Sequence, residues 1–308
     1  MFLVTGASGL LGSEILKQSS KSIGLNSRDC DLTTSNHVIL TLEDGRADTV
    51  IHCAARVGGV KANSDYVADF FDDNVKMNMN VLSACREKKL KLVSVLSTCI
   101  YPDAPYVKYP LTEAQLHMGP PHASNFGYAY AKRMLEVQSR AYRQQHGCNF
   151  ITVIPNNLYG LNDNYDLNSG QVIPALIRKF YEAKVFGYRS VEIWGSGNPV
   201  REFTFARDAA KIILWLSENY DGDEPVNIGN PEQISIMSLA RMIAEEIEYD
   251  GVRNFDASKS DGQYQKPSSN EKLKSLGWDG DYTPLREGLR ETINFFTQNY
   301  HKARGVNV

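Results

Sequence analysis

The chain begins with a glycine-rich loop between a short apolar run and a helical stretch. Residues 2–4 suit a buried strand, residues 6–12 are Gly-Ala-Ser-Gly-Leu-Leu-Gly, and residues 13–18 suit a helix. Glycine permits a tight turn and close approach of the backbone to a pyrophosphate, and the following helix N-terminus presents free N–H groups to that anion. Because strand, loop and helix occur in the required order, the pattern favours a dinucleotide site over a purely structural turn.

The first half of the chain alternates apolar runs with helical stretches. Residues 21–25, 47–55, 90–96 and 150–154 suit strands, and residues 65–88 and 126–145 suit helices. This alternation predicts an α/β fold with a doubly wound parallel sheet (Rossmann), whose ligand lies at the carboxyl ends of the strands. Gly6, Ser97 and Asn157 all follow such ends. Apolar positions on the 65–88 helix, such as Phe70 and Met79, indicate packing in a core or a dimer seam.

The pattern changes after Gly160. Residues 161–170 are polar, 191–194 suit a strand, and 172–184, 235–248 and 284–299 suit helices, while 203–216 and 227–229 are expected to return to the first sheet. We therefore predict a nucleotide-binding domain at 1–165, with returns near 203–229, and a smaller substrate domain at 166–308.

Composition restricts the possible partners and location. A net charge of −3 over 308 residues, without a basic run, argues against nucleic acid and membrane surfaces as partners. No apolar run has transmembrane length, and the start suits a strand rather than a signal peptide, so we expect a cytoplasmic protein. Five scattered cysteines predict reduced thiols and no metal site.

The tip of the second strand indicates which nicotinamide cofactor is used. Its residues are Asn26, Ser27, Arg28 and Asp29. An acidic tip would accept a hydrogen bond from a ribose 2′-hydroxyl, whereas this neutral tip with a following arginine suits a 2′-phosphate. The sequence predicts NADP(H); the alternative is that Arg28 is a solvated loop residue.

Tyr128 and Lys132 are the candidate catalytic pair. Residues four apart on a helix share a face, so the Lys132 ammonium is expected to lower the pKa of the Tyr128 phenol. An isolated Tyr-x-x-x-Lys is common on exposed helices. Here, however, Ser97 ends a strand and a dinucleotide loop opens the chain. This context favours Tyr128 as a proton donor.

Several motifs together resemble the GDP-L-fucose synthase family of extended short-chain dehydrogenase/reductases. They are the glycine loop, Cys-Ala-Ala-Arg-Val-Gly-Gly at 53–59, Leu-Ser-Thr-Cys-Ile-Tyr-Pro at 96–102, Asn-Phe-Gly-Tyr-Ala-Tyr-Ala-Lys-Arg-Met at 125–134 and Pro-Asn-Asn-Leu-Tyr-Gly at 155–160. The similarity continues through 172–176, 194–199 and 259–262. Members of the family epimerise C3 and C5 and reduce C4 of GDP-4-keto-6-deoxymannose.

The resemblance implies a set of site residues. Tyr128 would protonate the C4 oxygen as NADPH delivers hydride, Lys132 would tune that phenol and hold the ribose, Ser97 would bond the same oxygen, and Cys99 would serve epimerisation. The expected cofactor contacts are Gly6, Ser8, Gly9, Leu10, Leu11, Gly12, Asn26, Ser27, Arg28, Asp31, Leu32, Ala54, Ala55, Lys132, Pro155, Asn157 and Leu158. The expected substrate contacts are Asn157, Gln171, Val172, Lys179, Trp194, Arg201 and Asp261.

Two positions depart from the family pattern. Asn156 stands where a threonine is usual, and Gln171 stands where the family has the histidine that pairs with the cysteine for epimerisation. An amide cannot exchange a proton at neutral pH. The sequence therefore predicts an NADPH-dependent C4 reductase of a GDP-4-keto sugar with doubtful epimerase activity.

Other functions and partners follow from the same residues. The alternatives are full GDP-L-fucose synthesis with another group replacing histidine, reduction of a GDP-4-keto-heptose supplied by a separate epimerase, and a non-catalytic NADP(H) sensor. Sugar-nucleotide 4,6-dehydratases are less similar, because they carry Asp-Glu where this chain has Cys99-Ile100. The resemblance also implies a homodimer that buries the helices at 65–88 and 126–145.

Overall fold

Six parallel strands form the central sheet. The structure is a computed structural model that describes residues 1–34, 38 and 47–306. The strands are β1 (Phe2–Thr5), β2 (Ser22–Leu25), β3 (Thr49–His52), β4 (Lys91–Val95), β5 (Phe150–Pro155) and β9 (Val226–Ile228), in the order β2-β1-β3-β4-β5-β9. The predicted doubly wound parallel sheet is confirmed.

Helices cover both faces of this sheet. They are α1 (Leu10–Gln18), α2 (Val60–Asp65), α3 (Val67–Glu87), α4 (Phe126–His146) and α6 (Ala206–Asn219). Neighbouring residues of a strand point to opposite faces: Val4 packs in the core that contains α1 and α6 residues, whereas Leu3 packs in the core that contains α3 and α4 residues. Burial on both faces explains the continuous apolar runs of the strands.

The rest of the chain builds a second region with its own core. It contains β6 (Asn157–Tyr159), α5 (Val172–Phe186), β7 (Ser190–Trp194), β8 (Val200–Phe205), β10 (Gln233–Ser235), α7 (Ile236–Ile247), β11 (Val252–Asp256) and α9 (Leu285–Gln298). The short helix α8 (Glu271–Ser275) instead packs Leu273 in the core that contains β9 and α6 residues. β8 pairs with β6 and β10, and β7 pairs with β11. Aromatic side chains such as Tyr165, Phe180 and Phe296 fill the core.

The helix predicted at 65–88 is present as α3, and Tyr66, with φ −124° and ψ 42°, separates it from the short helix α2, which the sequence did not predict. Another expectation was wrong. Residues 203–216 do not return to the central sheet: β8 joins the three-stranded sheet, and the following residues form α6. Residues 226–228 do return, as β9. The division into domains at residue 165 stays a prediction.

Within the described residues 1–34, 38 and 47–306, no helix has both the length and the apolar character needed to cross a membrane.

Candidate active site

A cavity of about 1030 Å³ lies at the carboxyl ends of the central strands and extends to the second region. It is at the upper end of the ~300–1,000 Å³ usual for ligand pockets. It is lined by all four proposed catalytic residues (Ser97, Cys99, Tyr128, Lys132), by all seven proposed substrate contacts, and by every proposed cofactor contact except Arg28. The proposed catalytic, cofactor and substrate residues thus meet in one space.

The glycine loop is built to receive an anion. Gly6 has φ +67°, and a Cβ there would lie 2.9 Å from the Ala54 backbone. Gly9 is the N-cap of α1 and offers no side chain, so the first-turn N–H groups of α1 are left uncapped. Free N–H groups at a helix start bind phosphate. These residues fit the pyrophosphate of a dinucleotide.

The tip of β2 forms a tight turn. Asp29 accepts a hydrogen bond from the Asn26 N–H at 2.9 Å, and the Asn26 side chain accepts one from the Arg28 N–H at 2.9 Å. The Asp29 carboxylate therefore faces its own loop, and Asn26 and Ser27 line the cavity. Arg28 is exposed and does not line the cavity. The expected contact of Arg28 with the site is not present in this side-chain position.

Lys132 connects α4 to the end of β4. Lys132 is 2% exposed, and its ammonium donates to the Val95 carbonyl at 2.8 Å. Val95 lies two residues before Ser97, so this bond holds the segment that positions Ser97. The Ser97 hydroxyl accepts a bond from the Cys99 N–H at 3.4 Å, which leaves its hydrogen free for a ligand. Burial lowers the pKa of Lys132 to about 8.

Tyr128 keeps its proton in this structure, contrary to the expected effect of Lys132. Burial raises the pKa of the Tyr128 phenol well above its ordinary value, and the neighbouring Cys99 raises it further. The Lys132 ammonium is directed to Val95 instead of to the phenol, so the prediction of a lowered pKa was wrong for this structure. A protonated phenol that lines the cavity remains suited to donate a proton.

Cys99 lies beside a lysine that the sequence did not single out. Burial raises the pKa of the Cys99 thiol, while the charge of Lys266 and a bond to Ser97 oppose that change. Lys266 lines the cavity, and burial lowers its pKa to about 8. A raised thiol pKa reduces the thiolate population near neutral pH. Little of Cys99 is therefore in the thiolate form that could accept a proton from a substrate carbon.

Gln171 bridges the two sides of the cavity. Its side-chain Nε2 donates to the Gly58 carbonyl at 2.9 Å, and the nearby Gly59 N–H donates to Ser169 at 2.9 Å. These bonds tie the loop after β3 to the segment that precedes α5. The Gln171 amide thus makes a structural contact, and an amide does not act as a general acid or base near neutral pH.

The predicted substrate contacts cluster at the other end of the cavity. Lys179 lies 5.2 Å from the centre of the Trp194 ring and donates to the Glu192 carbonyl. Arg201 donates to the carbonyls of Tyr264 and Asp261. The Asp261 carboxylate accepts bonds from the Ser196 N–H and hydroxyl, each at 2.7 Å, and so it shapes the Gly195–Gly197 turn.

Sequence reasoning missed several polar cavity residues. Besides Lys266, they include Arg56, Asp163 and Arg304. Arg56 is held by Asp73 at 2.7 Å, and burial raises the pKa of Asp163 to about 7. Single charged residues in loops carry no pattern that separates them from solvated ones. Only the three-dimensional arrangement identifies them.

The site and the fold have close parallels among known proteins. Residues 2–229 match the model of the NAD dependent epimerase/dehydratase family. Over 312 residues the chain is 45% identical to a GDP-L-fucose synthase of Dictyostelium discoideum, with 98% of this chain and 97% of that protein covered. The chain belongs to the GDP-L-fucose synthase family. The family and the enzyme class predicted from the sequence are thereby confirmed.

Two solved structures extend the comparison. A GDP-L-fucose synthetase from Naegleria fowleri bound to NADP is 40% identical, with TM-score 0.89 and coverage of 98% of this chain and 94% of that chain. A GDP-6-OMe-4-keto-L-xylo-heptose reductase from C. jejuni is 26% identical, with TM-score 0.89 and coverage of 97% of both chains. The family's fold is thus found in both a synthetase and a reductase.

Proposed function

We propose that this chain is an NADPH-dependent C4 reductase of a GDP-4-keto sugar, with slow or no epimerisation at C3 and C5. The observation that carries the proposal is the contrast within one cavity. Ser97, Tyr128 and Lys132 line it together with the glycine loop, whereas the Gln171 amide is bonded to Gly58. The groups needed for reduction are present, and the histidine used for epimerisation is not.

NADPH, when bound, supplies the hydride for C4. The cofactor prediction of NADP(H) is confirmed by the relative solved with NADP. In the proposal, the first turn of α1 holds the pyrophosphate and Lys132 holds the nicotinamide ribose. Tyr128 donates its phenolic proton to the C4 oxygen, and the Ser97 hydroxyl donates a hydrogen bond to that oxygen. Lys179 and Arg201 hold the diphosphate, and Trp194 and Asp261 contact the GDP part of the substrate.

The proposal is tested by a screen of GDP-4-keto sugars with NADPH, in which the absorbance of NADPH and the stereochemistry of the product are followed. We expect NADPH consumption and a product whose C3 and C5 configurations match the substrate. If none of the sugars leads to NADPH consumption, the result would instead support a non-catalytic NADP(H) sensor. The screen includes hexoses and heptoses, because one structural relative is named as a heptose reductase. For a heptose, a separate epimerase would supply the substrate.

A second candidate, full 3,5-epimerase/4-reductase activity, has one observation in its favour. Lys266 lines the same cavity as Cys99 and interacts electrostatically with the Cys99 thiol, and its pKa is about 8. A group with that pKa exchanges protons near neutrality. In this candidate Lys266 takes the place of the missing histidine. The cytoplasmic location predicted from the sequence stays a prediction.

NADPH is expected to bind more tightly than NADH. The Asp29 carboxylate at the β2 tip accepts a bond from the Asn26 N–H, and the exposed Arg28 follows the cavity residue Ser27. In the proposal, the Arg28 side chain turns toward the bound 2′-phosphate. Arg28→Ala should weaken NADPH binding about tenfold, as for one charge-assisted contact, and leave NADH binding unchanged. Fluorescence titration measures both affinities. Lys21→Ala removes an equal charge before the amino end of β2 and serves as control. Equal affinities for the two cofactors would refute the assignment.

The chain is expected to be a homodimer. Phe126, Tyr130, Met134 and Val137 form an exposed apolar stripe on α4, next to the exposed Met79 of α3. A second copy packed on this stripe would remove the apolar area from water. Light scattering at about 10 μM should give twice the chain mass. Met134→Glu with Val137→Glu should give the monomer, whereas Val185→Glu, also exposed and helical, should not. A monomeric wild type would exclude the dimer.

A further inference from the structure

A chain of buried hydrogen bonds runs beneath the cavity floor, from the loop after β3 to the helix that carries Lys132. The Ala54 N–H donates to the Thr5 hydroxyl oxygen at 3.2 Å, and this oxygen lies 2.8 Å from His52 Nδ1. His52 Nε2 lies 3.1 Å from Asn78 Oδ1, and Asn78 Nδ2 donates to the Ala131 carbonyl at 3.3 Å. Thr5, His52 and Asn78 are at most 2% exposed.

Only one neutral tautomer of His52 satisfies all of these contacts. The Asn78 amide must donate to the Ala131 carbonyl, so its oxygen faces His52 and requires a proton on Nε2. His52 Nδ1 is then a bare acceptor, and the Thr5 hydroxyl supplies its hydrogen. The reverse tautomer would place Nε2 and Asn78 Oδ1, two acceptors, against each other. Every donor in the chain therefore points from Ala54 toward Ala131.

The surroundings of His52 keep its imidazole neutral. Burial and the positive charge of Lys132 lower the pKa of His52 to about 3. No carboxylate is among the groups that act on its pKa; these groups are Lys132 and Asn78. The single tautomer is thus expected throughout the pH range in which the enzyme works.

One end of the hydrogen-bond chain lies at the proposed cofactor contacts, and the other end lies beside the catalytic residue Lys132. Ala54 lines the cavity beside the glycine loop and is a proposed cofactor contact. Ala131 directly precedes Lys132 on α4, and Lys132 reaches the cavity while bonded to Val95. A fixed link between these ends sets the position of the loop after β3 relative to Lys132 and Tyr128.

We infer that His52, as the neutral Nε2–H tautomer, is a positioning residue. It links the loop after β3, at Ala54, to the turn of α4 that carries Lys132. The inference rests on the proposed function for its kinetic effect, but the tautomer is a property of the protein alone. His52 does not line the cavity. It acts through Thr5 and Asn78 and touches neither ligand.

Variants of residues in the hydrogen-bond chain separate an effect on positioning from an effect on stability. His52→Leu and Thr5→Val break the chain, and His52→Gln preserves it, because a glutamine amide offers an acceptor and a donor at similar spacing. Thr152→Val is the matched control: Thr152 is buried in β5, and its hydroxyl has no hydrogen-bond partner in the structure. It tests the same Thr-to-Val change in the same sheet.

We expect His52→Leu and Thr5→Val to lower kcat at saturating substrate at least tenfold, since small displacements of reacting groups have large effects on rate. The isotope effect with NADPH deuterated at the transferred position should rise, because hydride transfer becomes more rate-limiting. His52→Gln should regain most of the rate, and Thr152→Val should match wild type. Loss of thermal stability without a change in kcat or isotope effect, or His52→Gln no better than His52→Leu, would overturn the inference.

Nitrogen NMR of ¹⁵N-histidine-labelled protein provides a test that needs no turnover. The His52 signal, assigned by its loss in His52→Gln, should show a proton on Nε2 and none on Nδ1 from pH 5 to pH 8. A proton on Nδ1, or a doubly protonated ring at pH 6, would overturn the inference whatever the substrate is. Absence of reductase activity in the wild type with a correct tautomer would refute the proposed function alone.

Discussion

Tyr128→Phe is expected to lower the rate of C4 reduction about 10²–10⁴-fold, the usual loss when a general acid is removed. Phenylalanine keeps the ring, including its edge contact with Phe70 at 6.4 Å between centroids, and deletes only the hydroxyl. Burial holds the pKa of this phenol well above its ordinary value, so the wild-type residue carries the proton that the reaction consumes. NADPH affinity should change little.

The rate is measured as NADPH oxidation with a substrate found in the screen, and the affinity by fluorescence titration. Tyr142→Phe is the control, because Tyr142 lies on the same helix, stacks on Phe150 and does not line the cavity. Its rate should equal that of wild type. A Tyr128→Phe enzyme with wild-type turnover would remove Tyr128 from its proposed role, whereas equal losses in both variants would point to helix packing.

The parts of the fold that follow from hydrophobic pattern were predictable from sequence. Most strands of the central sheet are short buried apolar runs, and β1, β4 and β5 are followed by Gly6, Ser97 and Asn157, which line the cavity. The short helix α2 was not predicted, because its six residues, Val-Lys-Ala-Asn-Ser-Asp, carry too little apolar pattern to indicate a helix. The transfer of β8 to another sheet was also missed, since strand character does not specify a partner.

The site residues likewise divide into those that the sequence could predict and those that it could not. Residues within motifs, such as Gly6, Ser97 and Tyr128, were found because each motif combines a residue type with a position at a strand or helix end. Lys266 and His52 were not found, because their significance depends on burial and on neighbours distant in sequence, Cys99 for one and Asn78 for the other. The direction of the Lys132 ammonium was also inaccessible: helical spacing places it near Tyr128 but does not exclude the Val95 carbonyl.

Gln171→His is expected to raise proton exchange at C3 and C5 about 10²-fold or more, the scale of general acid–base catalysis. A C4 ketone acidifies the hydrogens on both carbons, and epimerisation must remove a proton from one face and return one to the other. In the wild type, burial raises the pKa of the Cys99 thiol. The Gln171 amide does not act as a general acid or base near neutral pH. Histidine at 171 would supply the second group.

Gln171→Asn is the matched control, because it retains an amide and shortens the side chain that reaches Gly58. It should leave exchange slow, which separates gain of an acid from loss of the bridge to the loop after β3. C4 reduction by Gln171→His should stay within a few-fold of wild type, since Ser97, Tyr128 and Lys132 are unchanged. No gain of exchange in Gln171→His would show that position 171 does not supply the missing acid.

The central claim is tested most directly by incubating the wild-type enzyme with a GDP-4-keto sugar in D₂O without NADPH, and again with NADP⁺ bound. Mass spectrometry and NMR then follow deuterium at C3 and C5. We predict incorporation much slower than NADPH-dependent reduction of the same sugar. Incorporation at both carbons as fast as that turnover would contradict the reductase proposal and support full 3,5-epimerase/4-reductase activity, with Lys266 as the second group if Lys266→Met abolishes the exchange.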